Sequence, residues 1–413
     1  MNVFVLNYDG KPLMPTKRGG RVRKLLDSGE AVVVKRMPFT IRLTREKKRY
    51  TQEISLGVKS GTRKLELSAS TNKEELLSMK ASLRTNIVDL LATKRELRQV
   101  KRFRLRFRKK RSKNRANARQ KGWLSPSIKN KIQFHLKIID LIHKVLPIYS
   151  IRVEICSFDI QKIKNPGISG KEYQEGPQKG FWNVREYILH RDNYICQHCK
   201  GKSGDTNLNV HHIESRKTGG NSPGNLITLC KTCHKDYHEG KFNLNIKRDR
   251  SFKDHSYMNI MKNELMRQIS LRYINEFPLP MFGYTTKYER AKSGLISREI
   301  YSDSFIISGN LKSKPSDHVY ICRQIRRHNR QIHAANILKG GKYKKNQSQY
   351  RLYGYRLNDI VEFNGRMYYI KGRRVRGYFD IRPLDERYNK YEPSYKKLKF
   401  KYVSNRLIIF KKC

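Results

Sequence analysis

Short apolar runs alternate with basic turns over residues 1–50: VFVLNY, then KPLMPTKRGG, then AVVVKRMPFTIRL. This pattern predicts a small strand-rich module with one short helix around Arg21–Ser28. Residues 51–70 read as a β-hairpin, two strands around the turn KSGTRK. From about Asn72 to Lys121 the pattern becomes helical and increasingly basic. Residues 126–148 carry apolar positions at helical spacing as far as Pro147, and IYSIRVEICSFD then reads as a buried strand with Glu154 near its end. A second amphipathic helix, MNIMKNELMRQISLRYINEF, lies within residues 246–282. Residues 350–413 are mostly strand, with turns at Asn364-Gly365 and Arg376-Gly377, and predict a compact basic β-barrel or meander. Tyr368, Tyr369 and Tyr378 there read as core or pair contacts rather than base-stacking platforms. Lys339–Gln347 reads as a flexible basic loop. No short-period repeat is present.

Charge changes this picture. The 413 residues include 90 Lys and Arg against 35 Asp and Glu, a net charge of +55. No ordinary metabolic enzyme needs such an excess, and a compact chain carrying it repels itself, so a polyanionic partner is expected. Apolar residues at 37% suffice for packed cores, which argues against wholesale disorder. No 18-residue apolar run and no signal-like N-terminus is present, so nucleic acid comes before membrane as the partner. Lys94–Lys121 alone holds 15 Lys or Arg and one acid, Glu96. Apolar Leu97, Val100, Phe103, Leu105 and Phe107 are interleaved with the charges, and GWLSPSI follows. An arginine-rich helix gripping phosphates is therefore preferred to a solvated tail. Its candidate contacts are Arg98, Arg102, Arg104, Arg106, Arg108, Lys109, Lys110, Arg111 and Arg115.

The candidate chemistry lies between Cys196 and His238. Of seven cysteines (Cys156, Cys196, Cys199, Cys230, Cys233, Cys322 and Cys413), four form two Cys-x-x-Cys pairs. The odd count without a signal peptide argues against a secreted disulfide framework. Cys196/Cys199 and Cys230/Cys233 have the spacing of a tetrahedral structural zinc site, which closes a loop too poor in apolar area to fold alone. Inside the clip sit His211, His212, Gly219-Gly220, Asn225 and His234. Adjacent histidines at a strand end point to opposite faces. One can ligate a metal while the other, as a neutral imidazole, takes a proton from water attacking a phosphodiester. A plain zinc finger would leave Gly219-Gly220, Asn225 and His234 unexplained.

At these residues the chain resembles the HNH (ββα-metal) endonucleases. The resemblance implies that His211 and His234 ligate a catalytic ion and that His212 is the general base. It makes Asn225 the residue that holds the hairpin and orients His212. The catalytic ion would be Mg²⁺ or another divalent cation. His238 is either a support of the site or a surface histidine.

The rest of the chain resembles IscB, the transposon-associated family of RNA-guided nucleases related to type II CRISPR effectors. KPLMPTKRGGRVRKLLDSGEAVVV and PFTIRL look like its PLMP module, and KRELRQVKRFRLRFRKKR with KGWLSPS like its bridge helix. VEICSFD, RQIRRHNRQIHAANILKGGKYKKN and GRRVRGYFDIRPLDE also fit. The implied fold is an α+β multidomain chain, with an RNase H-like RuvC scaffold split by an HNH domain. Its expected divisions are 1–50 PLMP module, 51–70 first RuvC piece, 71–125 bridge helix region and 126–165 second RuvC piece. There follow 166–245 HNH domain, 246–315 third RuvC piece and 316–413 a C-terminal basic β domain that reads an adjacent DNA motif.

The family places a metal-binding aspartate where this chain has Lys59, in Leu56-Gly57-Val58-Lys59-Ser60-Gly61. An ammonium there repels metal ions. Glu154 is retained, but the family's H-x-x-D reads Ile300-Tyr301-Ser302-Asp303, without the histidine. Neither Glu66 nor Asp159 stands at the matching place to substitute. The resemblance then implies a degenerate RuvC site and an HNH domain that nicks the guide-paired strand of double-stranded DNA, with guide RNA as second partner. Three other readings stand beside it: a guide-independent, homing-type HNH endonuclease, an RNA-guided DNA binder without cleavage, and a decayed transposon passenger. A monomer in a bacterial cytoplasm, associated with the nucleoid, is expected, or a plastid location if the gene is organellar.

Overall fold

The computed structural model describes residues 2–412 apart from 49, 106–121, 174, 177, 215–218, 245, 248, 250–251, 299–301, 327–348, 385–388 and 405–406, and, within helices, the side chains of 97, 99–105, 171 and 253. The chain divides into two compact units, Met1–Ser157 with Tyr257–Cys413, and Phe158–Ser256. Among the described residues no helix is long and apolar enough to cross a membrane.

The first unit opens with the expected strand-rich module: β1 (Phe4–Leu6), α1 (Gly19–Asp27), β2 (Ala31–Arg36) and β3 (Phe39–Leu43). Its sheet runs β1-β3-β2, and Val3, Val5, Val22, Ala31, Ile41 and Leu43 form its core. The hairpin follows as β4 (Ser55–Lys59) and β5 (Lys64–Ser70), paired antiparallel with Lys59 opposite Glu66. The helix expected from Asn72 is corrected here. Glu75–Ser82 forms a third strand, β6, antiparallel to β5, and α2 (Ile87–Leu105) begins beyond it. Most of β6 is buried, Glu75–Met79 without a break, and a short apolar run covered on both faces carries no period that separates strand from helix.

Ser125 caps α3 (Pro126–His143), accepting from the Ile128 N–H at 3.4 Å, and β7 (Ser150–Glu154) then lies parallel to β4, aligning Glu154 with Lys59. The second unit contributes α4 (Ile160–Lys164), α5 (Val184–Arg191), β8 (Leu208–His212), β9 (Leu226–Cys230) and α6 (Lys231–His238). Helix α7 (Lys253–Arg272) leads back to the first unit. There β10 (Leu279–Met281), α8 (Gly283–Lys292), α9 (Asp303–Ser308) and β11 (Val319–Gln324) complete the central layer. Its seven-stranded mixed sheet runs β10-β7-β4-β5-β6-β11-β16, where β16 is Leu407–Lys412.

The stretch 316–413 is therefore shared between two sheets. Its β12 (Ile360–Phe363), β13 (Arg366–Arg373), β14 (Phe379–Pro383) and β15 (Lys399–Tyr402) form an antiparallel sheet in the order β14-β13-β12-β15. Among the described residues it is an open four-stranded sheet, the meander rather than the barrel of the two expected forms, and the last strand leaves it to pair with β11. Tyr368 and Tyr369 are buried as expected, whereas Tyr378 is exposed.

Two contacts position the far end of β4. Helix α9 lies so close on β4 that a Cβ at Gly57 would stand 2.1 Å from the Ser304 carbonyl oxygen. Ser55 donates to the Ser308 carbonyl at 2.7 Å and the Ser70 and Ser308 hydroxyls pair at 2.8 Å, fixing α9 on the sheet. On the turn after β4, fully buried His135 holds Nδ1 2.8 Å from the Lys131 carbonyl and accepts the Gly61 N–H at Nε2, 3.4 Å away. Buried Lys131 donates its ammonium to the Thr62 carbonyl.

Overpacking is the consequence of any side chain at 57. Gly57→Ala is expected to destabilise the chain by about 1–3 kcal/mol, read as a lower denaturant midpoint at unchanged slope. Burial also pushes the His135 imidazole down to about 4 from 6.5. Its folded value lies below its unfolded one, so the stability it contributes is complete above about pH 6.5 and is lost as pH falls toward 4. Denaturant midpoints at pH 7 and pH 5 are expected to differ in that direction, and by less in His135→Gln.

Candidate active site

The second unit builds its hairpin from β8 and β9, with His211 opposite Ile227 and His212 opposite Leu226. Strand alternation buries His211, at 7% exposure, and turns His212 to the other face. The loop joining the strands is held by one side chain. Asn225 is fully buried, and its Oδ1 accepts the Glu214 N–H at 2.9 Å. Its Nδ2 donates to the carbonyls of Glu214 and Gly220 at 3.0 and 2.9 Å. A Cβ at Gly219 would stand 2.2 Å from that Nδ2, so the amide fits only because residue 219 has none.

His212 is not bonded to Asn225. Its Nε2 lies 3.0 Å from Oδ1 of Asn221, a residue that sequence reasoning missed. An amide oxygen only accepts, so this pair keeps the proton on Nε2 and leaves Nδ1 as the lone-pair nitrogen. Asn225 thus shapes the loop, and Asn221 fixes the imidazole.

Helix α6 begins at Cys230, whose Sγ accepts the Cys233 N–H at 3.4 Å, and it presents His234 and His238 one turn apart. These join His211 in a cluster whose ring nitrogens lie within 4.8 Å of one another. Nε2 of His211 is buried with no hydrogen-bond partner. Burial first, then the neighbouring imidazoles of His234, His238 and His212, pushes His211 down to about 4. His234 is lowered by burial and by His238. Three imidazoles this close, one with an orphaned buried nitrogen, are a ligand set that could hold a divalent cation. His238 stands with His211 and His234 in that cluster, and its i, i+4 spacing from His234 on a helix was the available signal.

The Sγ atoms of Cys196, Cys199, Cys230 and Cys233 also lie within 4.8 Å of one another, and none is in a disulfide. Cys199 and Cys230 are 3.9 Å apart, close to the ~3.8 Å that thiolates 2.3 Å from a tetrahedral zinc would show. A Ser203 hydrogen bond leads the effects that lower Cys199 to about 6, whereas burial pushes Cys233 up. Arg191 and Asp192 brace this unit: Arg191 donates to the Pro223 and Leu226 carbonyls at 2.9 Å, and Asp192 accepts the Thr228 N–H at 2.8 Å.

A second cluster lies in the first unit. Lys59 forms an ion pair with Asp303, and Arg290 donates to the other Asp303 oxygen at 2.7 Å. Burial alone would lower the Lys59 ammonium and raise the Asp303 carboxyl. Their pairing outweighs it in both, so Lys59 lies above its ordinary value and Asp303 below. Buried Glu154 accepts from the Thr286 hydroxyl at 2.7 Å and faces the Cys156 thiol at 3.4 Å. Asp159 instead caps α4 in the second unit, accepting the Lys162 N–H at 2.9 Å. Ile300 lies outside the described residues, as do Arg106, Arg108, Lys109, Lys110, Arg111, Arg115 and the 339–347 loop. Arg98 is exposed on α2, and the backbones of Arg102 and Arg104 continue that helix.

Comparison with known proteins bears on both units. Residues 3–176 match the family model described as RRXRR protein, and residues 196–240 the model described as HNH endonuclease. No curated protein matches the chain. Streptococcus thermophilus Cas9, solved in complex with the AGAA PAM, is similar at 13% identity and TM-score 0.33, over 51% of this chain. The type II-C Cas9 enzyme from Actinomyces naeslundii is similar at 11% identity and TM-score 0.25, over 60% of this chain. The chain spans 30% and 57% of the lengths of those two proteins, in that order.

The loop geometry gives a direct expectation. Asn225→Ala leaves one N–H and two carbonyls of the loop without their partner, and is expected to destabilise the second unit by about 1–3 kcal/mol. Hydrogen exchange should read it as lost protection at Glu214 with the first unit unchanged.

Proposed function

We propose that this chain, which matches an RRXRR family model over residues 3–176 and an HNH endonuclease model over residues 196–240, is an IscB-like protein that nicks DNA under the direction of a guide RNA. The observation that carries the chemistry is the orphaned, buried Nε2 of His211 in a three-imidazole cluster on the hairpin that bears His212. His211, His234 and His238 would hold a divalent ion, which when bound supplies positive charge for the phosphate and leaving oxygen. Nδ1 of His212 takes the proton of the attacking water, with Asn221 fixing the tautomer and Asn225 the loop. The four cysteines hold a structural zinc that stabilises a unit with a small apolar core.

Cleavage of one strand follows from the first unit. The order β10-β7-β4-β5-β6, with β7 parallel to β4 and the β4–β6 meander antiparallel, supports an RNase H-type scaffold. Its Asp303 carboxylate is already compensated from within, by the Lys59 ammonium and the Arg290 guanidinium, and Glu154 accepts from the Thr286 hydroxyl. A two-metal site needs those carboxylates free, so this site is degenerate and the HNH base does the cutting. Helix α2 and the basic run beyond it would grip guide RNA, and the C-terminal sheet would read the DNA beside the target.

The test begins by purifying the chain with its native flanking DNA through high salt and sequencing the RNA that stays bound. One discrete RNA with a variable end is expected, and with it a nick in the guide-paired strand only. His212→Ala should lower nicking about 10²–10⁴-fold while zinc and RNA remain. Heterogeneous, salt-removable RNA with nicking intact would replace this reading with a guide-independent HNH endonuclease. Unchanged nicking by His212→Ala would remove His212 as the base.

A further inference from the structure

The hairpin and α6 bring three imidazoles together and no carboxylate with them. His211 lies on β8, and His234 and His238 stand one turn apart on α6. The His211 ring centroid is 5.0 Å from that of His234 and 5.2 Å from that of His238. Tyr237 meets His211 from the same helix, with centroids 4.7 Å apart, so α6 packs three rings against the buried imidazole. Every Asp and Glu of the second unit is among the described residues, and none joins this group. The two acids nearest in sequence to the α6 histidines, Asp236 and Glu239, are held instead by Lys241, at 2.8 and 3.0 Å.

This donor set decides between classes of ion. Mg²⁺ is a hard cation that takes oxygen donors, in proteins usually through one or two carboxylates. Imidazole nitrogen is a softer donor that suits zinc, nickel, copper and iron, and affinity rises along the first row from manganese toward copper. A third imidazole in the place of a carboxylate therefore adds affinity for the second class and little for the first. Three protein donors are also one short of the four that zinc takes, the count of catalytic rather than structural zinc sites. We propose that His211, His234 and His238 bind Zn²⁺ or a neighbouring first-row transition ion in preference to Mg²⁺, in addition to the zinc proposed for the four cysteines. The proposal rests on the nuclease reading for what the ion does, whereas its binding is measured without nucleic acid or cleavage.

The experiment uses the full chain, freed of nucleic acid by high salt and dialysed against Zn²⁺, with its metal content read by mass spectrometry. Two zinc equivalents per chain are expected, and a large excess of Mg²⁺ should leave both in place. His234→Ala and His238→Ala should each keep one equivalent and bind the other about tenfold or more weakly, since a lost ligand costs at least what a lost outer partner does. Hydrogen-exchange protection of β8 and β9 equal to that of the unsubstituted chain carrying one equivalent would show that these variants fold. One equivalent in the unsubstituted chain, displacement of the second by Mg²⁺, or a second equivalent that both alanine variants retain would overturn the proposal. Two equivalents with the expected losses, and no nicking under any ion, would uphold the site and remove the nuclease reading. One equivalent with nicking intact in Mg²⁺ would do the reverse.

Discussion

One fully buried amide, that of Asn225, determines whether the second unit has a site at all. This unit has a small apolar core, built around Ile227, Leu229 and the cysteines. A loop of a dozen residues between its strands cannot be held by burial there. Asn225 closes three hydrogen bonds to loop backbone, each shielded from water and therefore costly to lose. The consequences run along the chain in both directions. Backward, the ordered loop places Asn221 against His212. Forward, β9 delivers Cys230, which both caps α6 and joins the thiol cluster, and α6 carries His234 and His238 to His211. An amide, four thiols and three imidazoles thus form a dependent series in which polar partners take the place of a large core.

The two titratable clusters obey the same rule with opposite results. A buried charge or polar atom must find a partner. In the first unit the partners are internal: Asp303 has an ammonium and a guanidinium, and Glu154 has a hydroxyl and a thiol close by. In the second unit His211 Nε2 has no internal partner, and its imidazole is held neutral, so its lone pair stays available. The two clusters thus differ in their side chains: one has its carboxylates partnered from within, the other leaves a buried imidazole nitrogen without a partner.

This contrast also explains what could be read from sequence. The cysteine pairs and the His211-His212 doublet were legible because metal ligation and strand alternation impose fixed spacings. Lys59 was legible as a cation in the place of an expected acid, although its pairing with Asp303, which Arg290 shares, was not, since residues 59, 290 and 303 meet only once α9 docks on β4. Glu75–Ser82 misled because a strand covered on both faces has no amphipathic period. Barrel and meander stayed open alternatives for the C-terminal strands, because strand patterns show that strands exist but not which neighbour the last one takes. Asn221 escaped notice because its function is a single hydrogen bond across a loop, without any spacing rule.

A net charge of +55 makes attraction to nucleic acid easy and placement hard. Diffuse cations bind phosphate wherever it lies, so they supply affinity and association rate but no register. Register has to come from features that fit one part of the polymer only. The second unit offers one candidate of that kind: a hairpin on which Asn221 fixes the His212 imidazole. That hairpin is built on two strands in a fixed register over a buried core. On the function proposed above, the charge recruits the polymer while the geometry of the hairpin selects which phosphodiester meets His212.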